Sequence, residues 1–594
     1  MSRAYPASHD GFYRPFAATL AMKMVSSLLF FTRFLAFLGV LLSLNLYAQP
    51  GTANNPIRVE AESGQLSGVE VASAVAGFSG TGYVTGFDNP TDALNLSFTA
   101  PAGLYELTIG YRSPFGEKGI DFQINTEKAG GMLRPSTTFA RFDGGKFLLM
   151  GGPVSLTIFR GWGYFDIDYI LLTPTTVKRP VPPATARLTD PNASPVTVGL
   201  YQFLLSQYGN KVISGQQDDV EYVLEKTGKE PAIGAFDLID YSPTRVQNGA
   251  RPLRTSEACL AWARKGDGRG IISLMWHWNA PTDLINQPPD KLWWRGFYTE
   301  ATTFDLAATL ADPAGPRYAL LLRDIDAIAE QLKKFQAANV PVLWRPLHEA
   351  SGGWFWWGAK GADPFRQLWQ LLYNRLTNFH NLHNLIWVYT GTDAFNTDWY
   401  PGDAYVDVVG LDIYAPADAT LSTNWEAALA QFSGKKLVAL SESGHLPRPD
   451  AIRGFATWWS WFAVWTGADY IKKQPDDLLK AVFTDADVLT RDELPDWRTP
   501  TQPLLTGLEP TWSVSVAGNP VADSLVNLDI QGAEGQLLHL TVFDSRGRLL
   551  TEKIVTPRTP TIRYALPLGS DEPGLYLIRI ISSTTASTLK IIKS

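Results

Sequence analysis

The chain has 594 residues, 45% of them hydrophobic and 18% charged, with a formal net charge of -7; this is ordinary globular composition with room for two to four domains. No long basic run is present, so nothing points to nucleic acid or an anionic membrane as partner and a neutral one fits better. A single cysteine, Cys259, excludes an intrachain disulfide framework and any multi-cysteine metal site, and its apolar helical setting predicts an inert buried thiol.

At the start, Lys23 and Arg33 precede an apolar run over 34–44 and a small residue at Ala48. This is the pattern of an export signal over residues 1–48, with the true start expected at Met22 or Met24. The run is short for a membrane span; an uncleaved anchor is the alternative. Residues 56–174 change to short period-two runs broken by Gly, Asn and Pro, such as 105–109, 154–158 and 166–170, which predict a β-sandwich. Prolines 180, 182, 183 and 191 mark a semi-rigid linker over 175–194.

From 195 to 500 the pattern is strand, loop, helix, repeated. Buried strands are predicted at 211–215, 232–237, 270–276, 340–346, 385–390, 406–412, 436–441 and 456–462. Asp363 can cap a helix with Pro364 at its first position, and Phe365, Leu368, Leu372, Leu376 and Phe379 form one apolar face. Eight such units predict a (β/α)8 barrel. A doubly wound open sheet is the alternative, and no Gly-rich phosphate loop supports it. Residues 507–594 return to β grammar and predict a small separate C-terminal β-sandwich. The predicted fold is therefore a (β/α)8 TIM barrel flanked by an N-terminal β-sandwich and a small C-terminal one.

The fourth predicted strand runs into Glu349 and the seventh into Glu442. In such a barrel the C-terminal strand ends form the rim where chemistry occurs, so both carboxylates are expected in one cleft. Two carboxyl groups flanking a sugar linkage are what glycoside hydrolysis needs: one protonates the leaving oxygen and the other attacks the anomeric carbon, at roughly 5–5.5 Å if configuration is retained. Glu349 then requires a raised pKa, which the aromatic wall at 354–357 and the neighbouring charge can supply. Arg345 and Tyr414 are reasonable donors to Glu442. A zinc-protease helix is excluded because Gly352 stands where the second His should fall, and a nucleophile elbow because Ala439 and Ser441 replace the needed glycines.

Trp344-Arg345-Pro346-Leu347-His348-Glu349, followed by Gly353-Trp354-Phe355-Trp356-Trp357-Gly358, resembles the acid/base segment of glycoside hydrolase family 26, whose members are mainly endo-β-1,4-mannanases with (β/α)8 barrels. His348 matches a peculiarity of that family, since the wider clan has Asn there. Trp276-His277-Trp278 resembles its third-strand segment and Gly410-Leu411-Asp412-Ile413-Tyr414 its sixth, with Glu442 at the nucleophile position. Over roughly 195–500 the resemblance implies Glu349 as acid/base and Glu442 as nucleophile, with no catalytic cofactor. It also implies support from His348, Arg345 and Tyr414, and substrate contacts at Trp276, His277, Trp354 and Trp465. For His277 a packed core imidazole is the plainer reading, as wall or core is for Trp356, Trp357, Trp458 and Trp459.

The N-terminal module resembles carbohydrate-binding module family 35 through Val59-Glu60-Ala61-Glu62, the 78–84 segment and 161–170. That resemblance implies a structural Ca²⁺ on Glu60, Glu62 and Asp168, with Trp162 either a sugar platform or buried between sheets. The C-terminal module resembles the sorting domain of type IX secretion through Asn519-Pro520-Val521, 542–548, 573–579 and 590–593; a third carbohydrate-binding or spacer sandwich is the alternative. The expected protein is a monomeric, secreted or cell-surface enzyme whose partners are β-mannan and the secretion machinery. Competing expectations are the same machinery acting on mixed-linkage β-glucan or xylan, and a non-catalytic glycan-capture protein.

Overall fold

The computed structural model describes residues 55–183, 187–252, 254–393, 395–417, 419–500, 512–582 and 586–594. The export signal expected over 1–48 lies outside the described residues. Among those described, no helix is long and apolar enough to cross a membrane. Two compact units emerge, Met1–Thr176 and Val177–Ser594.

In the first unit nine antiparallel strands form one continuously paired sheet system, dominated by the long strands Ala93–Ser113 and Ser136–Phe159. Their inward residues, among them Leu94, Leu96, Leu107, Ile109, Leu156 and Ile158, are fully buried. The period-two alternation that predicts strands here is thus the pattern of a sheet with one face in a core.

The second unit is built around a closed barrel of eight parallel strands: Gly215–Gln217, Ile233–Asp237, Ile271–Met275, Val342–Arg345, Leu385–Thr392, Val408–Ile413, Leu437–Ser443 and Phe462–Val464. Most are buried along their whole length, as strands covered by helices outside and by packed side chains inside must be. Two predicted strands are displaced. Val212–Ile213, within the expected 211–215, pairs outside the barrel with Val488–Leu489, and the true first strand follows it with buried Gln216 and Gln217. The expected 456–462 is mostly a buried loop carrying Trp458, Trp459 and Trp461, and the eighth strand starts only at Phe462.

The helix Ala362–Tyr373 buries Phe365, Leu368 and Leu372 as the spacing predicts. Its N-cap is Gly361 rather than Asp363, which sits in the first turn and pairs with Arg366. Cys259 is buried, and burial pushes its thiol up.

The C-terminal residues form a three-stranded and a four-stranded antiparallel sheet over a core that includes Trp512, Val526, Leu528, Leu540, Ile578 and Ile580. This sandwich lies within the barrel's unit. The Tyr318 hydroxyl donates to the Arg546 carbonyl at 3.0 Å, and the Arg579 guanidinium lies 4.7 Å from the Tyr373 ring and 4.5 Å from Tyr405 while donating to the Ala404 carbonyl at 2.7 Å.

Candidate active site

The fourth strand ends at Arg345, and the turn beyond it carries Glu349 into the barrel mouth. That turn holds two side-chain-bearing residues in the left-handed region, Leu347 at φ 50° and Glu349 at φ 54°. Such conformations cost on the order of 1 kcal/mol or more each and persist where the surroundings fix them. Here the Glu349 N–H donates to the Thr390 carbonyl of the fifth strand at 3.2 Å, and the Trp357 Nε1–H donates to the His348 carbonyl at 2.9 Å. A Cβ on Gly352 would fall 2.1 Å from the Trp354 ring. Glycine there lets Trp354 fold back so that its Nε1–H donates to Glu349 Oε2 at 2.8 Å.

Glu442 arrives from the seventh strand. Its register against the sixth strand shifts at Leu411/Asp412, which leaves Glu442 directly opposite Asp412; an irregularity of this kind re-aims a side chain that strict alternation would send elsewhere. Arg345 answers both carboxylates, with Nη1 at 2.7 Å from Asp412 Oδ2 and Nη2 at 2.6 Å from Glu442 Oε2. The Tyr414 hydroxyl donates to Glu442 Oε1 at 2.5 Å, and the Ser441 hydroxyl donates to Asp412 Oδ1 at 2.8 Å.

One carboxylate oxygen each from Glu349, Asp412 and Glu442 lie within 4.8 Å of one another. Two like charges at that distance repel by about 3–4 kcal/mol at an effective dielectric near 20, and the single guanidinium neutralises only one of three. Burial and the adjacent Glu442 carboxylate therefore push the Glu349 carboxyl up to about 7, while the Trp354 N–H and Arg345 pull it down. Burial raises Asp412 well above the ordinary carboxylate range despite Arg345. For Arg345 burial opposes the cation, but Asp412 and Glu442 outweigh it and hold the charge. A carboxyl near neutrality beside a carboxylate gripped by two donors is a division of labour suited to acid and nucleophile. The aromatic wall plays a double part: Phe355, Trp356 and Trp357 are buried and help desolvate the site, whereas the Trp354 N–H favours the charged form.

His277 follows the third strand, its Nδ1 2.6 Å from Asp237 Oδ2 and its Nε2 3.2 Å from His348 Nε2. Burial, with the Arg345 charge, holds His348 well below the usual imidazole range. Trp465, partly exposed, stands 6.1 Å from the His277 ring. Glu349, Glu442, His348, Arg345, Tyr414, His277, Trp354 and Trp465 are thus gathered at one barrel mouth. Trp276 is not among them. Its ring is fully buried, stacked 4.2 Å on Trp278 and donating to the Ser242 hydroxyl at 2.9 Å, so the expected sugar contact is corrected to packing. Alternation along the chain turns it away from the side that carries His277. Sequence reasoning assigns no role to Asp412 or Asp237; Asp412 lies within the 410–414 segment, and each is a carboxylate near the end of a barrel strand.

In the N-terminal unit Trp162 is 62% exposed, which excludes burial between sheets. Glu60, Glu62 and Asp168 gather around the 79–81 loop. The Ser79 hydroxyl donates to Glu60 Oε2 at 2.6 Å, the Ser79 N–H to Asp168 Oδ1 at 2.8 Å, and the Thr81 N–H to Glu62 Oε1 at 2.6 Å. Glu62 Oε2 is buried without a hydrogen-bond partner. A Cβ on Gly80 would come within 2.2 Å of Glu62 Oε1, so the loop rides directly on the acids. The three acids border one loop without meeting as closely as the barrel trio does, and the unmet Glu62 oxygen is the feature that fits a hard cation such as Ca²⁺.

Comparison with known proteins follows the same division. Residues 57–175 match Carbohydrate binding module (family 35), and residues 189–493 match Glycosyl hydrolase family 26. A mannan endo-1,4-beta-mannosidase of Thermothelomyces thermophilus is 42% identical over 458 residues, 76% of this chain and 92% of the relative. Mannan endo-1,4-beta-mannosidase B of a Piromyces species is 34% identical over 455 residues, 74% of this chain and 77% of the relative. The crystal structure of the Podospora anserina GH26-CBM35 beta-(1,4)-mannanase superposes with a TM-score of 0.58 at 43% identity, covering 75% of this chain and all of that one. With the family profile spanning just over half of the 594 residues, and a 42%-identical relative matched over 92% of its length, the chain belongs to glycosyl hydrolase family 26.

Proposed function

We propose that the chain is a secreted, retaining endo-β-1,4-mannanase in which Glu349 is the acid/base and Glu442 the nucleophile. The observation that carries this reading is the approach of their carboxylate oxygens to within 4.8 Å. That suits the roughly 5–5.5 Å carboxyl spacing of double displacement rather than the roughly 6.5–9.5 Å that leaves room for water in inversion. Glu349, protonated below about 7, donates to the glycosidic oxygen as Glu442 Oε attacks the anomeric carbon and the leaving chain departs. The ionised Glu349 then takes a proton from water, whose oxygen displaces Glu442 and restores both groups. Arg345 and Tyr414 orient Glu442 through the bonds given above, and His277, His348, Trp354 and Trp465 line the sugar path. Mannan as substrate is supported by what the related enzymes are named for.

In the N-terminal module Trp162 supplies a ring for a pyranose face, and Glu60, Glu62 and Asp168 hold a Ca²⁺ whose chemistry there is structural, fixing the loop. The 1–48 segment and the C-terminal sandwich serve export, the latter as a sorting domain. The test is hydrolysis of mannan, lichenan and xylan side by side by the wild type, Glu349→Ala and Glu442→Ala. The reading expects mannan to be cut fastest, with an early fall in viscosity, and losses of about 10³-fold or more in both variants. A protein that binds mannan without cutting it, or a fully active Glu442→Ala, contradicts it.

A further inference from the structure

We infer that Asp237 is a positioning residue for this reaction, fixing through His277 the tautomer of His348 beside Glu349; the inference rests on the reading of the two glutamates above. Asp237 closes the second barrel strand. Its Oδ1 accepts the N–H groups of Ile239 at 2.9 Å and His277 at 3.1 Å, and its Oδ2 meets His277 Nδ1 at 2.6 Å. A carboxylate can only accept, so the imidazole brings the proton on Nδ1. His277 Nε2 is then a free lone pair, and it faces His348 Nε2 at 3.2 Å. Two facing nitrogens need one proton between them, which places it on His348 Nε2 and leaves His348 Nδ1 bare. That atom is in fact buried without a hydrogen-bond partner, a situation better tolerated by an acceptor than by an N–H.

Among the described residues the two imidazole rings have no hydrogen-bond partners beyond Asp237 and each other. His277 is hemmed by Phe297 at 4.8 Å, Phe355 at 5.5 Å and Trp465 at 6.1 Å between ring centroids. Its ring stands at 87° to that of His348. The charged groups facing this chain of contacts are Asp218, whose carboxyl feels the Asp237 charge, together with Arg345 and Glu349. Burial and the Arg345 charge both oppose an extra proton on His348, so the proton order of the pair is set from the Asp237 end.

Asp237→Asn tests this without changing shape. An amide has one acceptor, and the two backbone N–H groups claim it. The NH₂ then faces His277 Nδ1, forces its proton to Nε2 and inverts His348. Imidazole ¹⁵N spectra, resolved among seven histidines, are expected to show His277 as the Nδ1–H form in the wild type and the Nε2–H form in the variant. The turnover number should fall about tenfold or more with KM changed far less. Adding the substitution to His277→Ala should cost nothing further, because the two act as one unit. Wild-type turnover, an unchanged His277 tautomer, or additive losses would overturn the inference while Glu442→Ala remains inactive. A Glu442→Ala enzyme that still hydrolyses would instead sink the glutamate assignment, and this inference with it.

Discussion

Three carboxylates meet in the barrel and three gather in the N-terminal sandwich, and the two groups are compensated in opposite ways. In the barrel the cation is part of the chain: Arg345 bridges Asp412 and Glu442 at 2.7 and 2.6 Å, while burial raises Asp412 and, with the Glu442 charge, pushes Glu349 up to about 7. In the sandwich Arg58 pairs with Glu60 at 2.6 Å and favours the Asp168 carboxylate from farther off, loop hydroxyl and N–H groups supply the rest, and Glu62 Oε2 is left without a partner. A fixed guanidinium cannot be lost or exchanged, so it tunes neighbouring acids apart for chemistry. Neutral donors with an open oxygen suit an exchangeable hard cation that serves structure.

The largest expected effect comes from removing the built-in cation. Arg345→Met leaves Asp412 and Glu442 buried side by side without a counter-charge, which should lower the turnover number by about 10²-fold or more. Unfolding stability should fall by about 3–5 kcal/mol; kinetics and denaturant titration check both. If Arg345→Met were as stable as the wild type, the barrel charges would not depend on the bridge as described.

A smaller effect is expected in the sandwich. Adding Ca²⁺ at about 100 times its dissociation constant should stabilise the N-terminal module by about 2.7 kcal/mol, read by calorimetry, and Glu62→Gln should weaken that response. Chelation should leave hydrolysis of short soluble substrates by the barrel unchanged. A melting profile indifferent to Ca²⁺ would remove the contrast between the two acid groups.

The smallest concerns the pH profile. Glu349 must be protonated to act as acid, so activity is present below about 7 and is lost as pH rises through that value. The Trp354 N–H favours the ionised form, so its removal in Trp354→Phe should move this alkaline limb to higher pH. A limb that moves to lower pH would show that Trp354 matters chiefly through burial.

Much of the barrel is legible in the amino-acid sequence. Runs such as 270–276 and 385–390 are apolar and bounded by loops, and they become the third and fifth barrel strands because a strand covered on both sides needs that composition. The first strand escapes because its buried side chains are Gln216 and Gln217, which carry no hydrophobic signal, while apolar Val212–Ile213 pairs elsewhere. Trp458, Trp459 and Trp461 mislead for the opposite reason, since a buried loop is as apolar as a strand. Glu349 and Glu442 are readable from strand-end position together with the flanking motif. Asp412 and Asp237 are not, because their roles depend on a register shift and on contacts between residues 40 or more apart. Trp276 shows the limit of motif reading: it adjoins His277 in sequence, yet alternation sends the two side chains to different places.

The most direct test of the paired-glutamate account is the anomeric configuration of the first product, followed by ¹H NMR during mannan oligosaccharide hydrolysis before mutarotation. Double displacement through Glu442 predicts that the β anomer appears first. Initial release of the α anomer would mean single displacement by water, and the close approach of Glu349 and Glu442 would then need another explanation.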